Sequence, residues 1–444
     1  MRWIAAGGGS APELNQVSLE QDLALAREVL GEGGRLFFAG GPGSDGVQVL
    51  DAAPRGDPLM LTLGRLFSPR GGRDSHYRKT TLPAHGPATA NATLDALEAA
   101  LKAGTEPLLV YLGGHGEQGE RPRDALVRLW GQWPLGVVDL AAVLDKGPAH
   151  RPVRVVSTAC FSGGFAELVF READEARGAA TSLHCGLFAA PWDAEASGCD
   201  PDPDRRAQEG YGLHFLNALG GKDRDGRALP KGDLDLDGDG RISLLEAHTR
   251  VRIASAAADV PTTTSERWLR FAAPKDGAEA ELPLPEEDAV IRALGAGLGL
   301  AGHEEDARAQ AAAAREAIAS ALDDLEEAHE HEDDAFYDVS ARLLARWPVL
   351  DDPWHPDFGP MMARDRAAIE AALRDWPELT TWEDATRNVD RLDAFVQHLR
   401  VRAAPVERLV RALDTRQLAR RLKSQGGDAW THFARLLACE RTIP

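Results

Sequence analysis

The sequence predicts an α/β fold: a three-layer α/β/α sandwich around a mostly parallel sheet, followed by an all-helical C-terminal domain. Two observations carry this. Between residues 35 and 221, short apolar runs alternate with stretches of helical period, the order that builds parallel strands with helices on both faces. Beyond residue 289 the chain turns rich in Ala, Leu, Arg, Glu and Asp at helical spacing, after a Pro- and acid-rich linker over 273–288. The expected organisation is therefore a domain over 1–272, the linker, and a helical domain over 289–444.

Each element has a local reason. The first 34 residues open Gly-rich and continue into "SLEQDLALAREVL", whose Leu19, Leu23, Leu25 and Leu30 stand among charges behind Ser18, a helix-capping residue. "RLFFAGG", 35–41, is an apolar run stopped by glycines, hence a strand. Residues 42–90, rich in Gly, Pro and Arg, form a long excursion. "TANATLDALEAALKAG" is a helix with Leu94, Leu97 and Leu101 on one face and Gly104 as its stop. "PLLVYLGG" is a strand, "PLGVVDLAAVLDKG" a helix, "PVRVVSTA" a strand and "FAELVFREADEARG" a helix. "HCGLFAAP" and "GYGLHFLNALGG" close the series as strand and helix. The strands are nearly continuous in Val, Leu and Phe, as strands buried on both faces are.

Composition narrows the function. A formal net charge of −20 repels phosphates, so neither a nucleic acid nor an anionic membrane is an expected partner. No window approaches the roughly 18 apolar residues of a membrane span. The start has no apolar core for a signal peptide, so the expected location is cytoplasmic, with an exported mature form as the alternative. Ala-, Arg- and Gly-rich usage points to a bacterial source. The four cysteines, Cys160, Cys185, Cys199 and Cys439, include no CxxC pair and are too few for a disulfide framework. Cys185 and Cys199 flank one loop; two reduced thiols is the plainer reading, a disulfide between them the other.

Two stretches carry chemistry. "PLLVYLGGHGEQGE" places His115 between glycines where a strand ends, and "RVVSTACFSGG" places Cys160 before small residues where another ends. Functional groups of open α/β sheets collect at the carboxyl ends of strands. A thiol with a pKa of about 8.5 is little ionised at neutral pH, and a neighbouring imidazole serves it as base and then serves the departing amine as acid. The backbone N–H groups of Gly116 and Cys160 are the candidate donors to the developing oxyanion.

"LLVYLGGHGE" followed by "VRVVSTACFSGG" resembles the caspase–legumain–metacaspase clan of cysteine peptidases, closest to its legumain-like and bacterial caspase-like members. The resemblance spans roughly residues 35–220. It implies a caspase-like fold, His115 and Cys160 as the catalytic dyad, Gly116 with Cys160 as oxyanion donors, a protein or peptide substrate cleaved through an acyl-enzyme, and no cofactor in the chemical step. One departure is plain: two residues before the cysteine, where legumains and metacaspases carry an acid and caspases a Gln, this chain has Thr158.

By the same resemblance "FAAPWDAEASGCDPDPDRR" lines the pocket for the side chain before the cut bond. With Thr158, its Asp193, Glu195 and Asp200 lead the candidates, ahead of Asp202 and Asp204, and favour Arg or Lys there. The rival pocket would hold an Asp side chain with arginines from Arg65, Arg70, Arg73, Arg78 and Arg205.

"DLDGDGRISLLE", 235–246, matches an EF-hand calcium loop: Asp235, Asp237 and Asp239 at positions one, three and five, Gly240 at the turn, the Arg241 carbonyl at seven, Ser243 at nine and Glu246 at twelve. Hard oxygen ligands suit Ca²⁺, as a structural clip or a regulator. In the helical region Trp347, Trp354, Trp376, Trp382 and Trp430 are expected in the core, and His329 and His331 on a solvated face. Legumains carry a helical prodomain at this place, so the resemblance implies an inhibitory or partner-binding part for it. The expectation is a calcium-binding cysteine endopeptidase; the alternatives are a catalytically silent scaffold of the same fold and a calcium-stabilised adhesion module.

Overall fold

The structure is a computed structural model and describes residues 2–51, 56–68, 74–148 and 151–443. In chain order, β1 (Arg2–Gly7), α1 (Val17–Leu30), β2 (Arg35–Phe38), β3 (Val47–Leu50), α2 (Pro58–Phe67) and β4 (Ser75–Arg78) come first. Next are α3 (Ala90–Lys102), β5 (Leu108–Gly113), β6 (His115–Glu117), β7 (Leu126–Arg128), β8 (Leu135–Gly136), α4 (Val137–Leu144), β9 (Val153–Ser157) and β10 (His184–Phe188). Then follow α5 (Tyr211–Leu219), α6 (Leu244–Ala254), β11 (Thr262–Thr263), α7 (Thr264–Ala272) and α8 (Pro285–Leu298). The chain ends in α9 (Glu304–Arg346), α10 (Phe358–Asp375), α11 (Pro377–Gln425) and α12 (Gly427–Glu440).

The main sheet has six strands in the order β11-β10-β9-β5-β1-β2, parallel except for the β10–β11 pair. Alternate residues of its strands enter two cores. On one face Trp3, Ala5, Leu109, Tyr111, Val156 and Leu187 pack with α1, α5 and α6. On the other Ile4, Ala6, Leu108, Val110, Val155 and Phe188 pack with α3 and α4. The α/β domain and the large C-terminal helical region are therefore as the sequence led one to expect.

Several details differ. β1 is a central strand that the Gly-rich opening concealed; its Gly7 is required because any Cβ there would stand 2.5 Å from the Gly113 carbonyl oxygen. Residues 162–177 are not an α-helix but three short 3₁₀ turns. All of Ser162–Val169 is buried, so no amphipathic stripe exists, and Phe161, Glu172 and Ala173 hold positive φ angles that interrupt helical winding. Cys185 is bonded neither as a free thiol nor to Cys199: it forms a disulfide with Cys439 of α12, while Cys199 is free. Trp347 and Trp382 are buried, but Trp354 is 93% exposed in the turn before α10.

The chain forms two compact units. The first holds residues 1–50, 75–311 and 404–444; the second holds 51–74 and 312–403. Helix α8, the start of α9, the end of α11 and α12 thus belong with the sheet. There Leu284, Leu422, Phe433 and Leu436 pack with Phe170 and Trp268. In the second unit Leu59, Leu63 and Leu66 of α2 pack with Val339, Leu343, Ile369 and Trp382.

Candidate active site and metal loop

Strands β5 and β9 pair in parallel from Leu108↔Val153 to Leu112↔Ser157, so the segments leaving them emerge at one edge of the sheet. His115 follows β5 after Gly114, and Cys160 stands three residues past β9. β1 flanks β5 on its other side, and the bend after it supplies the partners of the imidazole. His115 Nε2 lies 3.0 Å from the Leu14 carbonyl oxygen and 2.8 Å from Gln16 Oε1.

The Cys160 thiol donates to the Ala196 carbonyl at 3.4 Å and accepts from the Ala196 N–H at 3.3 Å. The Gly116 N–H also faces the sulfur. Gly116 is pressed against Cys160 so closely that any Cβ would collide with the Cys160 carbonyl; only glycine fits. Burial raises the Cys160 pKa and the charges of Glu195 and Asp259 add to this, against the pull of the Ala196 and Gly116 N–H groups. Burial lowers the His115 pKa, opposed by its bond to Leu14. Thiol and imidazole are thereby both held towards their neutral forms.

The expected pocket residues divide. Thr158 is half-buried and faces the Tyr111 hydroxyl. Asp193 and Glu195 are exposed, Glu195 close enough for its charge to be felt by Cys160. Asp200 is spent on structure: Oδ1 accepts the Asp202 N–H at 2.8 Å, and its backbone pairs with Ser18 at the start of α1. Of the rival arginines, Arg78 pairs with Glu20 at 2.6 Å and Arg205 with Asp22 at 2.7 Å. Arg65 is exposed in the second unit, and Arg70 and Arg73 lie outside the described residues.

Asp259 escaped the sequence reading. It is fully buried, accepts the Ser197 N–H at 2.7 Å through Oδ1, and leaves Oδ2 without a partner. Burial pushes its pKa up to about 6, while the Ser197 N–H and Arg408 pull it down. The Arg408 guanidinium is spent on the backbone carbonyls of Ser255, Ala257 and Asp259. No motif in "AAADVPTTTSER" marks this acid; only packing reveals it.

In the 235–246 loop, the carboxylates of Asp235, Asp237 and Asp239 lie within 4.8 Å of one another. Asp235 Oδ2 accepts the Gly240 N–H at 3.0 Å, and its Oδ1 is buried with no partner. Asp237 and Asp239 accept the N–H groups of Asp239 and Arg241. Gly240 holds φ +91°, as the sharp turn requires. Ser243 caps α6 in a capping box with Glu246, whose carboxylate also accepts the Leu236 and Asp237 N–H groups. A cavity of about 420 Å³ lined by Leu219, Leu234, Gly240 and Ile242 lies against this loop and not beside Cys160. His329 and His331 are both exposed on α9. No helix among the described residues is long and apolar enough to cross a membrane.

No family model matches the chain, and no curated protein does. Among solved structures, a Geobacter sulfurreducens protein determined as a structural-genomics target aligns over 59% of this chain and 92% of its own, at 14% identity. Its TM-score of 0.29 is too low to carry an argument about fold or activity.

Proposed function

We propose that the chain is a cysteine endopeptidase of caspase-like fold in which Cys160 attacks the peptide carbonyl and His115 moves the proton. The observation that carries this reading is the side-by-side parallel pairing of β5 and β9, which brings the His-Gly and Ala-Cys segments to one sheet edge. His115 takes the thiol proton as sulfur bonds to the carbonyl carbon, then returns it to the leaving amine; water next hydrolyses the thioester. Gly116 and Cys160 N–H groups are the oxyanion donors. A basic side chain before the cut bond is favoured, since Arg78 and Arg205 are already paired with acids while Glu195 and Asp259 stand near the sulfur.

One observation favours the silent-scaffold reading: both backbone groups of Ala196 are bonded to the thiol. The two readings part in labelling with an electrophilic peptide ketone. The peptidase reading expects adduct on Cys160 that is lost in His115→Ala; intact protein without adduct in the wild type decides for the scaffold.

Calcium is the proposed occupant of the Asp235–Glu246 loop, supported by the three converging carboxylates and the unpartnered Asp235 Oδ1. Added Ca²⁺ should raise the melting temperature of the wild type and leave Asp235→Ala unmoved. An equal response of both proteins would remove the loop as the site.

A further inference from the structure

We propose that the Asp235–Glu246 loop fastens residues 439–443 to the sheet, so that an ion in the loop and the docking of this segment stabilise each other. The inference rests on the calcium reading of the loop and adds to it what the ion does for the fold. The contact begins where the loop runs into α6. Leu244, the first residue of that helix, has an amide that the helix itself cannot satisfy. It donates to the Thr442 carbonyl at 3.0 Å. The cavity of about 420 Å³ against the loop is lined by Ile443 together with Leu234, Gly240 and Ile242. Arg441 feels the charge of Asp237, so the segment runs beside the acids of the loop.

The same residues are tied to the strands. Thr442 Oγ1 accepts from Arg154 Nη2 at 2.6 Å and gives its own hydrogen to the Cys439 carbonyl at 2.7 Å. Arg154 stands on β9 and is 4% exposed, and burial pushes its pKa down to about 10. Its other acceptors are the Cys439 carbonyl at 3.5 Å and the Pro152 carbonyl at 3.3 Å. A buried guanidinium therefore loses two acceptors if 439–443 departs, which is costly for a charged group. The disulfide from Cys439 to Cys185 of β10 adds a covalent tie. β9 leads to Cys160, and β10 leads to the loop that holds its thiol through Ala196.

The ion matters through repulsion. Without one, three carboxylates within 4.8 Å of one another push the loop apart and loosen the backbone that carries Leu244. A divalent cation removes that repulsion, and Asp235 Oδ1, buried with no partner, is the oxygen it would satisfy. One contact opposes: an ion beside Asp237 repels Arg441. Two bonds of 2.7 Å to Glu286 hold that guanidinium in place, and 28% of its side chain is open to solvent, which screens the repulsion. The relief among the three acids is the larger effect.

Coupling of this kind is reciprocal, so it is tested from both ends. Hydrogen exchange of the full chain, with its disulfide intact, is compared in chelator and in a large excess of Ca²⁺. Calcium should slow exchange over 427–443 by about tenfold or more and leave α10 unchanged. From the other end, the double variant Thr442→Val/Ile443→Ala should bind Ca²⁺ about fivefold or more weakly by calorimetry, although neither residue carries charge or supplies a loop ligand. Calcium that binds the wild type and not Asp235→Ala, yet leaves exchange over 427–443 unchanged, overturns the inference and keeps the calcium reading. An undiminished affinity in the folded double variant does the same. No calcium uptake by the wild type removes both. Should the double variant not fold, the wild-type exchange decides.

Discussion

Cys160 and His115 are both partly buried beyond the ends of the paired strands β9 and β5, and that burial sets their resting charges. It favours thiol over thiolate and imidazole over imidazolium. Alkylation of Cys160 should therefore rise with pH to a midpoint above that of a free thiol, about 8.5, and be slower than glutathione at pH 7. A midpoint well below a free thiol would mean a preformed ion pair instead. Asp259 gives a second residue-scale prediction. Its folded-state pKa of about 6 exceeds the unfolded value of about 3.9, so the folded chain holds this proton more tightly. Its contribution to stability is complete below about pH 4 and is lost as pH rises through 6. The loss is on the order of 3 kcal/mol. Asp259→Asn should flatten the fall in urea midpoint between pH 4.5 and pH 8; an unchanged fall would show that the carboxyl is not kept from water. The His-Gly and Ala-Cys pair was legible because strand ends punctuated by glycine mark themselves locally. Gln16 and Asp259 were not, since each is a common polar residue whose place depends on packing across the fold.

At the scale of elements, β5, β9 and β10 were readable because strands covered on both faces need unbroken apolar runs. β1 was not, since its Ala5, Ala6 and Gly7 are small where neighbouring strands and helices approach, and small residues carry no strand signal. The 162–177 segment misled in the opposite sense: its apolar residues are buried on every side by the turns that follow Cys160. Cysteine pairing was equally hidden, because Cys185 and Cys439 are 254 positions apart with Cα atoms 6.1 Å from each other. This bond ties β10 to α12, where buried Glu440 accepts from Thr264 and Ser265 of α7. Replacing both cysteines by Ala should cost about 2–4 kcal/mol in denaturant unfolding. A variant as stable as the wild type, under oxidising conditions, would show that packing alone holds α12 in place.

For the whole molecule, the helical region is not one appendage. α12 and the last part of α11 share a core with Phe170 and Trp268, and Arg408 holds the carbonyls beside Asp259. A chain ending at Leu284 should therefore lose its cooperative thermal unfolding; a melt matching the full chain would show the sheet to be self-sufficient. The change of composition at residue 289 fell four residues inside α8, which begins at Pro285 in the expected linker, and it did not show which core each helix would join, because helical period reports an apolar face and not its partner. The catalytic proposal requires this whole first unit, since the loop that clasps the thiol is tied through Ser197 to Asp259. The most direct measurement is turnover of a peptide library, randomised at the residue before the cut, by the wild type, Cys160→Ala and His115→Ala. The account predicts cleavage after Arg or Lys by the wild type and a loss of at least a hundredfold in both variants. Equal cleavage by the protein lacking the thiol would contradict it.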